Sequence, residues 1–294
     1  MSLFSLLGAL EIGLIFSLVA LGVLISFRIL RFPDLTVDGS FPLGGAVAAT
    51  LISAGSDPFT ATLAATAAGA LAGLLTGWLN VRLRIMDLLA SILVMIALYS
   101  INLRIMGRPN VPLIMEPTLF TVLQAPGIVD YVMRPLLLIV VVLVAKFALD
   151  AFFNTQTGLA MRATGSNPRM SRAQGIHTGA MVLGGMALSN ALVGLAGALF
   201  AQTQGGADIS MGVGTIVIGL AAVIVGESIL PSRKLVWITL AVILGALVYR
   251  FFIALALNSE FIGLQAQDLN LVTAVLVTIA LVLPRLKRHF KGAR

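Results

Sequence analysis

Long apolar runs separated by short polar joints set the pattern of this chain. The runs cover 3–27, 41–55, 59–80, 88–106, 135–153, 180–201, 211–230, 235–257 and 269–283. Most approach or exceed the roughly 20 residues that a helix needs to cross the hydrocarbon core of a bilayer. The run at 41–55 is shorter and carries Gly44 and Gly45, so it predicts a broken or partial span. The pattern predicts an all-α fold, a polytopic transmembrane helical bundle of about eight to nine spans, with residues 1–294 forming one domain. The longest joint, 107–134, is rich in proline and lacks the length for a soluble domain.

One polar interruption stands out near the middle, at 155–179, TQTGLAMRATGSNPRMSRAQGIHTG. Its second half predicts a short helix with both ends specified. Asn167 is a good N-cap, and Pro168 sits at the first helical position, where its missing N–H costs nothing. Gly175 suits the left-handed residue that closes a helix. Such a helix measures about 10 Å, too short to span a membrane or to stand alone, so it must dock. Arg169 and Arg172, three residues apart, are expected to share one face, with Met170 and Ala173 toward a packed contact.

Composition supports the membrane reading and removes other classes. The chain is 59% hydrophobic and 11% charged, with a mean hydropathy of +1.05. Soluble domains carry about a quarter charged residues. Cysteine is absent and there are two histidines, so neither a disulfide framework nor a histidine-rich metal site is expected. The net charge of +7 reads as membrane-flanking loops rather than a nucleic-acid surface. With nine spans and the N-terminus outside, most of the 19 Lys and Arg residues fall inside; if the run at 41–55 does not cross, eight spans put the N-terminus inside, and the C-terminus is cytoplasmic either way. The first run reads as a span and not as a cleaved leader. Lys146 is expected to snorkel toward the inner interface. No Gly-x4-Gly-Lys-Ser/Thr, HExxH or GxSxG pattern occurs. The chain is therefore not expected to bind ATP itself or to be an enzyme.

The stretch GLAMRATGSNPRMSRAQGI resembles the cytoplasmic coupling segment of ATP-binding-cassette importer permeases of the branched-chain amino acid and ribose type. Gly158, Arg162, Ala163, Gly165, Asn167, Ala173, Gly175 and Ile176 carry that likeness. DLTVDGSFPLGGA at 34–46 is similar to permeases grouped with aromatic amino acid (tryptophan/tyrosine) importers. The resemblance implies a permease of the bacterial cytoplasmic (inner) membrane that passes a small solute, an amino acid or a related compound. It implies that Arg162, Asn167, Pro168, Arg169, Met170, Arg172, Ala173 and Gly175 couple to a separate ATPase subunit, which binds the ATP and Mg. The implied partners are ABC ATPase subunits, a periplasmic or lipoprotein solute-binding protein, and a second permease, identical or similar. The competing expectation is a secondary transporter or channel working without an ATPase.

Polar residues within the spans are the candidates for a solute path. Asp38, Gly39, Tyr99, Asn102, Asn190, Gln202 and Thr215 are expected either to line an aqueous route or to make hydrogen bonds between helices. Asp34 and Asp38 either pair with a nearby arginine and line a gate, or form a turn in which Asp38 caps the helix that follows. Glu11 is the charge inside the first span, and an acid there is a functional candidate. It also lies close enough to the outer end to reach the interface. Glu227 is expected to pack at a helix end or pair with Arg233 or Lys234. Glycines at 69, 73 and 77, and at 184, 185, 194 and 197, read as surfaces for close helix approach.

Overall fold

The computed structural model describes residues 3–123, 130–232 and 234–257, with Val275 and Thr278 beyond them. The remainder of the expected ninth span, the basic tail and Arg233 lie outside the described residues. The described elements are α1 (Leu3–Val23), a π-helical continuation π1 (Leu24–Ile29), α2 (Val37–Ser53), α3 (Pro58–Leu83), α4 (Asp87–Met106), β1 (Asn110–Pro112), α5 (Leu119–Val122), α6 (Asp130–Phe153), α7 (Gln156–Ser166), α8 (Pro168–Ala173), α9 (Thr178–Gln204), β2 (Gly206–Asp208), α10 (Thr215–Ile229) and α11 (Leu235–Leu257). The all-α expectation holds. Among the described residues, six helices are long and apolar enough to cross a membrane. The expected eight to nine spans are not reached among the described residues, because α2 has 17 residues and α10 has 15.

Local chemistry fixes several ends. Asp57 caps α3, its carboxylate accepting the N–H groups of Phe59 at 3.1 Å and Thr60 at 3.3 Å. Pro58 follows at the first turn, where no donor is lost. A proline also stands inside α2, at Pro42. It stands past the first turn, so the helix forgoes the hydrogen bond to the Asp38 carbonyl four residues back.

α1 and α9 form the centre, with α2, α3, α6, α10 and α11 around them. The most extensive contact joins α3 to α9. Glycines set its closeness. A Cβ at Gly73 would lie 2.1 Å from the Met186 carbonyl oxygen, and one at Gly69 would lie 2.3 Å from that of Asn190. On α2, a Cβ at Gly44 would lie 2.0 Å from the Gly194 oxygen. Inside a membrane, lipid is as apolar as the helices, so such dense backbone packing supplies much of the association.

The two ends of the bundle differ. At one end lie α7, α8 and the start of α9, with Gly179 against Val81 of α3. At the other, β1 and β2 pair antiparallel, Val111 opposite Ala207, and clip the chain after α4 to the chain after α9. Ile114 and Met115 project beside this clip, Met115 being 94% exposed.

Candidate functional site

α2 and α10 both begin inside the bundle. Asp34, Thr36 and Thr215 are each at most 1% exposed. Their neighbour Asn190 stands near the middle of the 27-residue α9, which puts this meeting point at mid-depth. An aspartate turn stands ahead of each helix, at different distances. Asp34–Leu35–Thr36 leads directly into α2, whereas Asp208–Ile209–Ser210 lies at the clip, well before α10 begins at Thr215. In each, the aspartate accepts the N–H two residues on, at 3.0 Å from Thr36 and 2.8 Å from Ser210. This turn offers the backbone a partner while it reverses direction. The units α1–turn–α2 and α9–turn–α10 run in opposite senses through the bundle. Inverted units with half-length helices are a build of membrane transporters.

Asp38 joins the two half-helices. Its carboxylate accepts the N–H of Ile216 at 2.7 Å and that of Gly214 at 3.3 Å, so it caps α10 rather than its own helix. A carboxylate at a helix start also meets the positive end of the helix dipole. Asp34 accepts from the Asn190 side-chain amide at 2.8 Å, and Asn190 accepts from the Ser40 hydroxyl at 2.7 Å. Thr36 and Thr76 exchange a 2.7 Å hydrogen bond. Neither Asp34 nor Asp38 pairs with an arginine among the described residues, which corrects that alternative. At the clip, the Ser210 hydroxyl and N–H, with help from Asn110, hold the Asp208 carboxyl below the usual carboxylate range.

The path candidates separate. Asp38, Gly39, Asn102, Asn190 and Thr215 come together around the half-helix starts. Asn102 donates to the Gly39 carbonyl at 3.2 Å, and its own carbonyl oxygen is buried without a partner among the described residues. Gln202 lies farther along α9, accepting from the Leu119 N–H at 2.9 Å and donating to the Thr62 hydroxyl at 2.9 Å. Tyr99 is 57% exposed on the outer face of α4 and does not join the cluster. Asn102, Asn190, Gln202 and Thr215 are all buried, and the first three make hydrogen bonds between elements. The turn before α10, which adjoins Thr215, is exposed at Val213, 72%. An apolar cleft of about 450 Å³ lies elsewhere, between α7, α9 and α3, lined by Met161, Gly184 and Ala187 among others.

The charges take partners other than those expected. Lys146 does not snorkel. It is buried against Asp150, 2.5 Å away, and Asp150 also accepts from the Thr239 hydroxyl at 2.8 Å. Such a pair is tolerated because its partners satisfy each other. Glu227 pairs with Arg28 at 2.6 Å, across 199 residues, and not with Lys234. Glu11 lies in α1 with one carboxylate oxygen buried and unpartnered among the described residues.

The polar segment adopts the expected short helix. Asn167 accepts the Met170 N–H at 3.1 Å, Pro168 takes the first position, and Gly175 has φ +82°. An unforeseen helix, α7, precedes it, capped by Thr155 accepting from the Gly158 N–H at 3.2 Å. Gly165 seats α7 on the bundle, since a Cβ there would lie 1.7 Å from the Ile29 carbonyl oxygen. Ser171 is the buried residue of α8. Met170 and Ala173 are exposed together with Arg169 and Arg172, so the free face of α8 is larger than the two-face expectation. Arg162 lies half-buried on α7.

Membrane-length helices, paired half-helices and a free polar helix at one end define a polytopic membrane transport protein. The chain belongs to the family described as branched-chain amino acid transport system, permease component, which it matches over residues 5–283. It is 37% identical over 265 residues to a tyrosine transport system permease protein of Clostridioides difficile (strain R20291), covering 90% of this chain and 86% of that one. It is 34% identical over 281 residues to an uncharacterised protein of Rickettsia prowazekii (strain Madrid E), covering 94% and 96%. A nucleoside ABC transporter permease of Lactococcus lactis subsp. cremoris (strain MG1363) is 32% identical over 156 residues, covering 51% and 43%. No solved structure matches the chain.

Proposed function

We propose that this chain is the permease subunit of an ATP-binding-cassette importer, and that α7 and α8 form its coupling element. The observation that carries this reading is α8, a capped polar helix seated through Ser171, with Arg169, Met170, Arg172 and Ala173 facing outward. A helix of six residues held in this way offers a rigid docking surface. ATP and Mg belong to a separate subunit, since the sequence carries no phosphate-binding loop. An external binding protein delivers the solute, and a second permease completes the pathway. The α7–α8 end faces the cytoplasm, in keeping with Arg28, Arg31, Arg82, Arg84, Arg162, Arg169 and Arg172 near it. The membrane is the bacterial cytoplasmic membrane.

The solute class is an amino acid, with an aromatic one first. The likeness to the tyrosine permease spans most of both chains, whereas the nucleoside permease matches over about half of this one. A carrier driven by ions would need ionisable groups free to bind them at mid-depth. Asp34 and Asp38 are engaged in fastening helices instead. The test is reconstitution of the chain with its ATPase and binding protein in proteoliposomes. Uptake of labelled tyrosine or tryptophan should require ATP and all components. Uptake by the chain alone, driven by an ion gradient, refutes the importer reading.

A further inference from the structure

Both ends of α10 are fastened to one short stretch of chain. At its start, the Ile216 and Gly214 N–H groups reach Asp38. At its end, Glu227 reaches Arg28. From Ile216 to Glu227 the helix measures about 16 Å at 1.5 Å per residue. The segment 28–38 covers that length and holds the helix at both limits. Pro33 and the left-handed Arg31, φ +58°, shape this segment. A non-glycine residue in that region is uncommon, so the surrounding contacts must hold it there.

The same stretch receives the polar end of the molecule. Ile29 ends the π-helical turn π1, and α7 rests on its carbonyl through Gly165. Leu30 fits against Gly185 of α9, where a Cβ would come within 2.4 Å of its side chain. π-Helical turns are rare and concentrate at functional positions. α7 thus touches the residue beside Arg28, and Arg28 pairs with Glu227 near the far end of α10.

We propose that segment 28–38 and α10 form one lever, driven at the Gly165–Ile29 contact, that sets the position of the turn before α10. This rests on the importer reading for its driving force. Gly165, Arg28 and Glu227 are positioning residues: their effect reaches the solute path through Val213 and its neighbours. The Arg28 side chain is 58% exposed, and exposed pairs contribute little to stability. Its reversal is thus expected to leave the fold intact while altering what α10 does.

The chain has no cysteine, so a single Val213→Cys label reports the turn without background. In the full chain in lipid nanodiscs, without partners, a nitroxide there should change mobility in Arg28→Glu and in Glu227→Arg. The spectrum should return in the double reversal, which restores opposite charges. Gly165→Ala should shift it in the same way. In the reconstituted complex, each single reversal should lower solute moved per ATP about tenfold, with the double variant recovering most of it. An unchanged spectrum in both single variants overturns the lever, as does a shift that the double reversal fails to undo. A wild-type complex that shows no ATP-dependent uptake refutes the importer reading separately, because the label measurement needs no ATPase.

Discussion

At Asp38 one carboxylate takes two N–H groups from a helix that begins far along the chain, with Gly214 standing 176 residues away. Removing it leaves two partly buried donors without this partner, at up to about 1–3 kcal/mol for a group that water cannot reach. Asp38→Ala should lower the thermal unfolding midpoint of the purified protein, and Asp38→Asn, which keeps one acceptor, should lower it less. Equal midpoints for Asp38→Ala and wild type would deny the cap. The turn chemistry of Asp34 is legible in sequence, because an aspartate two residues before a hydroxyl residue is a local signal, whereas the expected cap of Asp38 on its own helix does not form. The target of Asp38 is not legible, because α10 meets α2 only through tertiary packing. The Asp–apolar–hydroxyl–apolar pattern at 34–37 and again at 208–211 signals two aspartate turns, but only the first leads directly into a helix. Tyr99 illustrates the opposite case. A polar ring in a span suggests a path, yet its helix turns it outward.

Among the elements, α8 was the most readable, since its caps lie within a few residues of each other. Asn167→Ala should cost about 1 kcal/mol of local stability, seen as faster amide exchange over residues 169–173 of α8. Ala173→Glu adds a charge to the exposed face and should abolish co-purification of the ATPase while the protein remains inserted and folded. Normal assembly and uptake by that variant would remove α8 from the coupling role. The partner helix α7 escaped notice because its residues are polar and small, with no apolar stripe of helical period to mark it. Apolar length also misjudged α10. The run from 211 is continuous, but Met211 to Gly214 form the descending turn, and the helix starts only where Asp38 can cap it. Conversely, α9 exceeds its apolar run at both ends, taking in Thr178 and Gln204.

For the molecule as a whole, the clip and the α7–α8 pair mark opposite ends. Single cysteines at Ser166 and Met115 should react with an impermeant reagent from opposite sides of intact cells and inverted vesicles, with Ser166 on the cytoplasmic side. Leu113 would serve poorly, being 2% exposed. Reaction of both from one side would contradict the arrangement. The all-α bundle was legible from apolar length alone, because a bilayer admits few alternatives. Its inverted units were not, because their likeness lies in turns and direction. The close seat of α3 on α9 has a consequence for biogenesis. Gly73 and Met186 meet across more than a hundred residues of chain. At about 5–20 residues per second of synthesis, α3 waits on the order of ten seconds before its partner leaves the ribosome. For that interval its glycine face is without the α9 backbone that it packs against in the finished bundle, and a chain cut short before Thr178 never gains that partner.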